Sequence, residues 1–185
     1  MAWLCRKYLE WTGWSLVGQL PPDEPKLLLI AAPHTSNWDF PIFLGVLNHL
    51  QIRLRFLAKS GLFKGPFGTF LRRIGGIPVD RSNAASIVDS AVAAFSEADE
   101  MILLLAPEGT RAAMPGWKTG FWRIAEAADV PIVFAFVDGA TKTSGLGPAY
   151  RIDGDVDGFM KHAAAFYEDK NGIKPENISP VVLRH

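Results

Sequence analysis

A histidine and an aspartate stand five positions apart in the stretch AAPHTSNWDFP, directly after the apolar run KLLLI. A histidine works as a base near neutral pH when a carboxylate holds one ring nitrogen, because that contact fixes the tautomer and stabilises the imidazolium. Side chains five positions apart on one helix point about 140° away from each other. Pairing of His34 with Asp39 therefore requires residues 34–37 to form a turn before a helix begins.

The same residues also fit the start of a helix. The sequence SNWD matches a capping box, in which Ser36 caps the helix and Asp39 satisfies its first turn. A capped turn would itself bring His34 back toward Asp39. The pair alone therefore leaves both interpretations open, a catalytic base with its orienting carboxylate and a simple helix cap.

A second group of candidate residues follows another apolar run, in the stretch LLLAPEGTRAAMPGWKTG. These residues are Glu108, Gly109, Thr110 and Arg111. A glycine between an acid and a hydroxyl indicates a tight loop that presents backbone amides and a guanidinium to an anion. The alternative is a polar turn with Arg111 in solvent. Arg81, which ends the stretch GGIPVDR, is by itself most simply a surface residue.

Alternating strands and helices would position these candidates. Strands are predicted at KLLLIAA, IRLRFLA, GIPVD, MILLLA and VPIVFAFV, with an edge strand at AYRID. Helices are predicted at DFPIFLGVLNHL, GLFKGPFGTFLRRIG, the segment capped by Ser82 or Asn83, GFWRIAEAA and VDGFMKHAAAFYEDK. Apolar strands separated by helices predict an α/β domain with a mostly parallel, mixed sheet covered by helices on both faces. Ligands of such sheets bind at the carboxyl ends of the strands, where His34 and Arg111 lie.

The first 20 residues predict an amphipathic helix with two apolar sides. On a helical wheel Lys7 shares one arc with aromatic residues, while Cys5, Leu9 and Leu16 fall on the other side. The aromatic arc contains Trp3, Tyr8, Trp11 and Trp14. Tryptophan and tyrosine favour the headgroup layer of a bilayer, so we interpret the arc as a membrane-interface anchor over residues 1–20, attached to a domain over residues 21–185. The alternative is a core helix rich in aromatic residues.

The composition excludes several classes of protein. The 185 residues carry 19 basic and 19 acidic side chains, so no overall field attracts nucleic acid. A single cysteine, Cys5, excludes an internal disulfide and a multi-cysteine zinc site, and it fits a reducing compartment. No uncharged apolar run reaches the roughly 18–20 residues that span a bilayer, and no export signal is recognisable.

Four blocks of this sequence resemble those of the glycerophospholipid acyltransferase family, which includes 1-acylglycerol-3-phosphate and glycerol-3-phosphate acyltransferases. HTSNWD is similar to the His-x4-Asp block of that family, GGIPVDR to its second block, PEGTR to its third and VPIVFAFV to its fourth. The blocks occur in the order of the family between about residues 26 and 140. The resemblance implies the fold of a glycerol-3-phosphate acyltransferase.

The resemblance also implies a reaction. His34 would deprotonate the hydroxyl of a lysophospholipid acceptor while Asp39 orients the imidazole. The acceptor oxygen would then attack the thioester of acyl-CoA or acyl-carrier protein, which acts as co-substrate, so no cofactor and no metal is expected. By the same resemblance Arg81 and Arg111 would hold the acceptor phosphate, with Lys59 as a further helper. Residues shaping this pocket would be Glu108, Gly109 and Thr110.

The resemblance further indicates a small, membrane-peripheral bacterial type that acts at the cytoplasmic, inner face of the plasma membrane. Residues 62–70, together with the first helix, would form a ramp by which acyl chains enter from the bilayer, or else plain core. The chain departs from the family pattern at Pro33, where many members have asparagine, and at Phe134, where proline is usual.

Other functional classes remain as alternatives. A thioesterase or hydrolase could use the same histidine and aspartate, although no Gly-x-Ser-x-Gly nucleophile motif is present. A non-catalytic lipid-binding protein could keep the same fold. The stretch DGDVDG matches the opening of a calcium loop, but its twelfth position is Ala164 rather than glutamate, so we interpret these aspartates as loop and helix-start residues.

Overall fold

The computed structural model describes Lys7, Leu9, residues 11–49, Ile52, residues 54–80 and residues 83–184. Its strands are β1 Ser15–Val17, β2 Lys26–Ala31, β3 Leu54–Lys59, β4 Gly76–Val79, β5 Met101–Leu105, β6 Ile132–Asp138 and β7 Thr143–Tyr150. Its α-helices are α1 Asp39–His49, α2 Gly65–Arg73, α3 Ala84–Glu97, α4 Gly120–Ala128 and α5 Val156–Tyr167. Short 3₁₀ turns cover Ser60–Leu62 and Pro175–Asn177. No described helix is both long and apolar enough to cross a bilayer.

The seven strands form one mixed sheet in the order β1-β7-β6-β2-β5-β3-β4. Strands β6, β2, β5, β3 and β4 run parallel to one another, whereas β7 is antiparallel to β6 and β1 is parallel to β7. The predicted mostly parallel sheet is therefore confirmed. Because β2 and β5 are neighbours, with Ile30 opposite Leu105, the loops that follow them leave the sheet at the same edge.

Strand side chains alternate between two faces of the sheet, and each face has its own helices. On one side Leu28, Ile30 and Phe134 pack against α3, α4 and α5, and we call this the α3–α5 face. On the other side Leu27 and Leu29 pack against Leu9 and α1. Helix α2 covers the β3 end of that second side, through a small cluster of Ala58, Phe63 and Leu71. We call this side the α1–α2 face.

The helix predicted over residues 1–20 is wrong in its second half. Lys7, Leu9, Trp11 and Thr12 are helical, and Gly13 then takes a left-handed conformation with φ of 77°. Residues 15–17 form the edge strand β1, because the chain leaves the helix at Gly13 and pairing with β7 then satisfies the backbone groups of the extended segment. The role of this segment as a membrane anchor stays a prediction.

Two further elements differ from the sequence-based expectation. Of the strand predicted at residues 149–153, only Ala149 and Tyr150 belong to a strand, as the end of β7 that begins at Thr143, and residues 151–153 lie outside it. The glycines of β7 obscure the sequence pattern of a strand. Glycine is required at positions 145 and 147, because the carbonyl of Val17 and the ring of Phe166 occupy the space that a side chain would need. The helix predicted across residues 61–75 is a 3₁₀ turn followed by α2.

Two predicted helix starts are confirmed. The side chain of Asn83 caps α3 by accepting the N–H groups of Ala85 and Ser86. Asp155 caps α5 by accepting the N–H of Gly158 at 2.8 Å. The aspartates of the stretch DGDVDG therefore serve a loop and a helix start, as the failed calcium pattern indicated.

Candidate active site

The loop between β2 and α1, residues 32–38, carries the predicted base, and we call it the histidine loop. The Nδ1 atom of His34 lies 3.1 Å from Oδ2 of Asp39. With its Nδ1–H donated to the carboxylate, the imidazole has Nε2 left to accept a proton. The side chain of His34 is 27% exposed and that of Asp39 only 7%, so the imidazole reaches solvent while the carboxylate does not.

The carboxylate of Asp39 is held in place by the turn that precedes it. Its Oδ2 atom accepts the N–H groups of Thr35 at 2.7 Å and Ser36 at 2.8 Å, and the hydroxyl of Ser36 accepts the N–H of Trp38 at 3.2 Å. Bonds from backbone N–H groups favour the ionised carboxylate and fix its direction. The predicted capping turn is therefore present, and it brings His34 onto Asp39, while catalysis by this pair stays a prediction.

The loop between β5 and α4, residues 106–119, meets the histidine loop at this edge, and we call it the arginine loop. Glu108 is buried, and its Oε1 atom accepts the N–H of His34 at 3.1 Å. Its Oε2 atom has no partner among the described residues. Burial raises the pKa of the Glu108 carboxyl above its ordinary value of 4.5, and the nearby Asp39 charge adds to the rise. Glu108 thus contacts the backbone of His34 rather than solvent.

The next residues of the arginine loop are open to solvent. Gly109 has a left-handed φ of 72°, and a side chain there would meet the Lys118 side chain at 3.1 Å. Thr110 and Arg111 are exposed, and Arg111 forms no hydrogen bond or ion pair with any described residue. The loop therefore presents the guanidinium of Arg111 and the ammonium of Lys118, and the sequence had not indicated Lys118 as a site residue.

The remaining predicted phosphate ligands follow the next two strands. Lys59 is the last residue of β3, which is parallel to β5 and ends at the same edge, and its side chain is exposed. Strand β4 ends at Val79, also at this edge. Arg81 comes two residues later and lies outside the described residues.

The C-terminal segment, residues 171–184, holds both loops, and we call it the C-terminal strap. The hydroxyl of Thr35 accepts the N–H groups of Ile173 at 3.0 Å and Lys174 at 3.1 Å. The side-chain amide of Asn177 donates to the carbonyl of Thr35 at 3.1 Å. At its far end the strap reaches the arginine loop, where Arg184 donates to the carbonyl of Glu108 at 3.2 Å.

The strap also makes contacts deeper in the arginine loop. The hydroxyl of Ser179 accepts the N–H of Met114 at 3.0 Å, and the carbonyl of Val182 accepts the N–H of Trp117 at 2.7 Å. Sequence reasoning missed this segment. Its polar residues carry no motif, and their partners lie more than 60 positions away along the chain.

The predicted membrane-interface tryptophans divide into three cases. Trp11 is 86% exposed, Trp14 is half-buried against the core of the α1–α2 face, and Trp3 lies outside the described residues. Of the two tryptophans that the structure describes, Trp11 is therefore the one on the surface.

Comparison with known proteins identifies the family. The model of the acyltransferase family matches residues 19–136, more than half of the chain, so this chain belongs to the acyltransferase family. It is 28% identical over 134 residues to the 1-acyl-sn-glycerol-3-phosphate acyltransferase of Streptococcus pneumoniae (strain ATCC BAA-255 / R6). The match covers 71% of this chain and 49% of that protein, so the chain spans about half the length of this curated relative.

The fold is similar to that of a solved acyltransferase. The crystal structure of the 1-acyl-sn-glycerophosphate (LPA) acyltransferase PlsC from Thermotoga maritima matches with a TM-score of 0.61 at 18% sequence identity. The match covers 90% of this chain and 77% of that one. The family that the four sequence blocks indicated, and the α/β fold that it implied, are both confirmed.

Proposed function

We propose that this chain transfers a fatty acyl group from a thioester to the hydroxyl of a lysophospholipid similar to 1-acylglycerol-3-phosphate, in phospholipid biosynthesis or remodelling. The thioester would be acyl-CoA or acyl-carrier protein. The observation that carries this proposal is the 3.1 Å contact between His34 and Asp39, with the imidazole partly exposed beside a loop that presents Arg111. The names of the two relatives support the same acceptor class.

The reaction moves one proton from the acceptor hydroxyl to His34 and then from His34 to the leaving thiolate. His34 Nε2 accepts the proton of the acceptor hydroxyl while the oxygen attacks the thioester carbonyl, and Asp39 stabilises the imidazolium. The tetrahedral intermediate then collapses, the C–S bond breaks, and the leaving thiolate takes the proton from His34. The products are an ester and a free thiol. A thioester is already activated, so this route needs no cofactor.

The acceptor phosphate would be held at the open end of the arginine loop. We assign this role to Arg111 and Arg81, with Lys59 as a helper and a pocket shaped by Glu108, Gly109 and Thr110. The exposed, unpaired state of Arg111 within the described chain supports its part, because a planar guanidinium binds two phosphate oxygens at once.

We further propose that the protein works as a peripheral protein at the cytoplasmic, inner face of the plasma membrane, where its acceptor and product reside. Trp3 and Trp11 would lie in the headgroup layer. The exposure of Trp11 supports this proposal, whereas the packing of Trp14 against the core leaves it a smaller part than the sequence indicated.

The direct test supplies acyl-CoA or acyl-carrier protein as donor and a panel of lysophospholipids as acceptors, and measures both free thiol and lipid product. The proposal expects thiol release that depends on the acceptor, with one product molecule for each thiol. Thiol release without an acceptor would identify a thioesterase instead. No release with any donor or acceptor would leave a lipid-binding protein on this fold.

A further inference from the structure

The two faces of the sheet differ in the apolar surface that they expose. Among the described residues, none of the large exposed hydrophobic side chains belongs to α3, α4 or α5. On the α1–α2 face, in contrast, Trp11, Phe67 and Phe70 are 86%, 57% and 43% exposed, and Trp38 before α1 is exposed as well. Leu62 and Ile74, at the two ends of α2, are also exposed.

The exposed residues of α2 form a single patch. Helix α2 packs closely through Gly68, where a side chain would collide with the backbone of Phe63, and through the buried Leu71. Phe67, Phe70 and Ile74 follow the three- and four-residue spacing of one helix side, and the rings of Phe67 and Phe70 lie 6.3 Å apart. We call these residues, with Leu62, the α2 patch. A contiguous exposed patch of this kind on one face indicates a binding surface.

Charge distinguishes α2 from α3 in the same way. The 15 residues from 60 to 74 contain three basic side chains and no acidic one. The basic residues are Lys64, Arg72 and Arg73. Across the sheet, residues 84–100, which include α3, contain four acidic side chains and no basic one. The acidic residues are Asp89, Glu97, Asp99 and Glu100.

Two of these cations flank the α2 patch and are available to a partner. Lys64 precedes α2 and Arg73 ends it, and both side chains are exposed without a hydrogen bond or ion pair to any described residue. Arg72 is different, because its guanidinium lies over the ring of Phe63 and donates to the Phe63 carbonyl. Exposed aromatic rings between free cations match the boundary of an anionic bilayer, which offers phosphates above and acyl chains below.

The α2 patch also begins at the catalytic edge. Lys59 ends β3 at the edge where His34 and Glu108 lie, and the chain enters α2 only six residues later. A bilayer against this face would therefore lie beside the mouth of the site rather than at the opposite end of the strands.

We propose that the α1–α2 face docks onto a lipid bilayer that contains anionic headgroups. Phe67 and Phe70 enter the boundary between headgroups and acyl chains, Lys64 and Arg73 contact headgroup phosphates, and the acidic α3 side faces water. This inference deepens the proposed function, since it says how a bilayer-bound acceptor reaches His34, but the docking itself requires no turnover.

The experiment measures co-sedimentation of the full chain with vesicles of phosphatidylcholine alone and of phosphatidylcholine mixed with phosphatidylglycerol. The wild type binds the mixed vesicles more tightly, and its binding falls as salt rises. Phe67→Ser with Phe70→Ser weakens binding about tenfold or more, because two aromatic rings are no longer available for transfer from water into the bilayer. Lys64→Glu with Arg73→Glu weakens binding to the mixed vesicles by a similar factor.

The matched control is Arg123→Glu with Lys161→Glu, which makes the same charge change at exposed positions on α4 and α5. This control binds vesicles like the wild type, and circular dichroism shows that all variants are folded. Equal loss in the control, or unchanged binding of the Phe67 and Phe70 variant, overturns the proposal. The proposal is also overturned if the Phe67 and Phe70 variant binds vesicles normally and loses only acyl transfer from acyl-carrier protein. The α2 patch would then be a docking site for that protein.

Failure of this inference is distinguishable from failure of the proposed function. Vesicle binding that depends on Phe67 and Phe70, without any acyl transfer, keeps the docking surface and removes the enzyme. Acyl transfer to a dispersed acceptor, with no vesicle binding, keeps the enzyme and removes the docking surface.

Discussion

The histidine loop and the arginine loop leave neighbouring strands, yet they are built in opposite ways. In the histidine loop the carboxylate of Asp39 is buried and accepts two backbone N–H groups, and Thr35 is fixed by the strap. In the arginine loop only the first and last parts are held, and residues 109–113 are exposed. For the proposed function, this difference means that the predicted base is held in place before a substrate arrives, whereas the predicted anion-binding part stays open to fit one.

This difference predicts that the two loops control different kinetic constants. Groups that act only on the moving proton should change kcat, and groups that bind the acceptor in both ground and transition states should change KM. Variants in each loop and in the strap therefore test whether kcat and KM respond separately.

Asp39→Asn should lower kcat by about a hundredfold or more, because a neutral amide cannot stabilise the imidazolium of His34. The amide oxygen can still accept the loop N–H groups, so the circular dichroism spectrum should stay native. Steady-state kinetics with acyl-CoA and a saturating lysophospholipid measure the effect. A variant that keeps its kcat but raises KM would break the division between the loops.

Arg111→Ala should raise KM for the lysophospholipid about 10- to 100-fold, which corresponds to loss of one charge-assisted hydrogen bond to phosphate. The KM for the acyl donor should change little. Arg123→Ala, at another exposed arginine, is the control and should behave like the wild type. If instead only kcat falls, Arg111 acts on the reacting atoms and the loops do not divide as described.

Asn177→Ala should lower kcat about fivefold to tenfold with KM unchanged, because the strap would hold the carbonyl of Thr35 less firmly and His34 would sample more positions. Asn171→Ala is a close control, since within the described residues the side chain of Asn171 forms a hydrogen bond only with the nearby carbonyl of Asp169. A second pair separates position from stability: Thr35→Val removes the hydroxyl that the strap uses, and Thr35→Ser restores it. Equal activity in Val and Ser variants would contradict the positioning role.

The smallest effect concerns stability and Glu108. Glu108→Ala should lower the free energy of unfolding by about 1–3 kcal/mol, because the N–H of His34 loses its acceptor. Glu108→Gln keeps an acceptor oxygen and removes the buried charge. Because the pKa of Glu108 is raised in the folded state, the wild type loses stability as pH rises above 4.5, through the pKa of the folded state.

The Gln variant should therefore gain stability over the wild type as pH rises through that window, and the two should converge on the acid side. Denaturant unfolding at several pH values measures the difference. If the difference in unfolding free energy between the wild type and Glu108→Gln does not change with pH, folding does not raise the pKa of Glu108.

How far the sequence could predict this molecule follows from the range of the interactions. Strand β2 and the pair of His34 with Asp39 depend on neighbours within a few positions, so their pattern was readable before the structure was known. Strand β1 has three residues and exists only because β7 pairs with it. The strap depends on bonds such as that from Ile173 to Thr35, which spans 138 positions, and no local pattern encodes such a contact.

Even for a single residue, some properties could be predicted from the sequence and others could not. Glu108 was identified as a site residue from its place after an apolar strand, and the structure does place it beside His34. Its burial, which raises its pKa, comes from the packing of two loops and the strap, and these meet only in the folded chain.

The role of His34 as the base is tested most directly by lipid product formation in His34→Ala, under conditions in which the wild type turns over. We expect the rate to fall about 10²- to 10⁴-fold with a native circular dichroism spectrum, and lipid product to recover in part when free imidazole is added. Lipid product formed by His34→Ala at the wild-type rate would contradict that role, because the proton of the acceptor would then leave by another route.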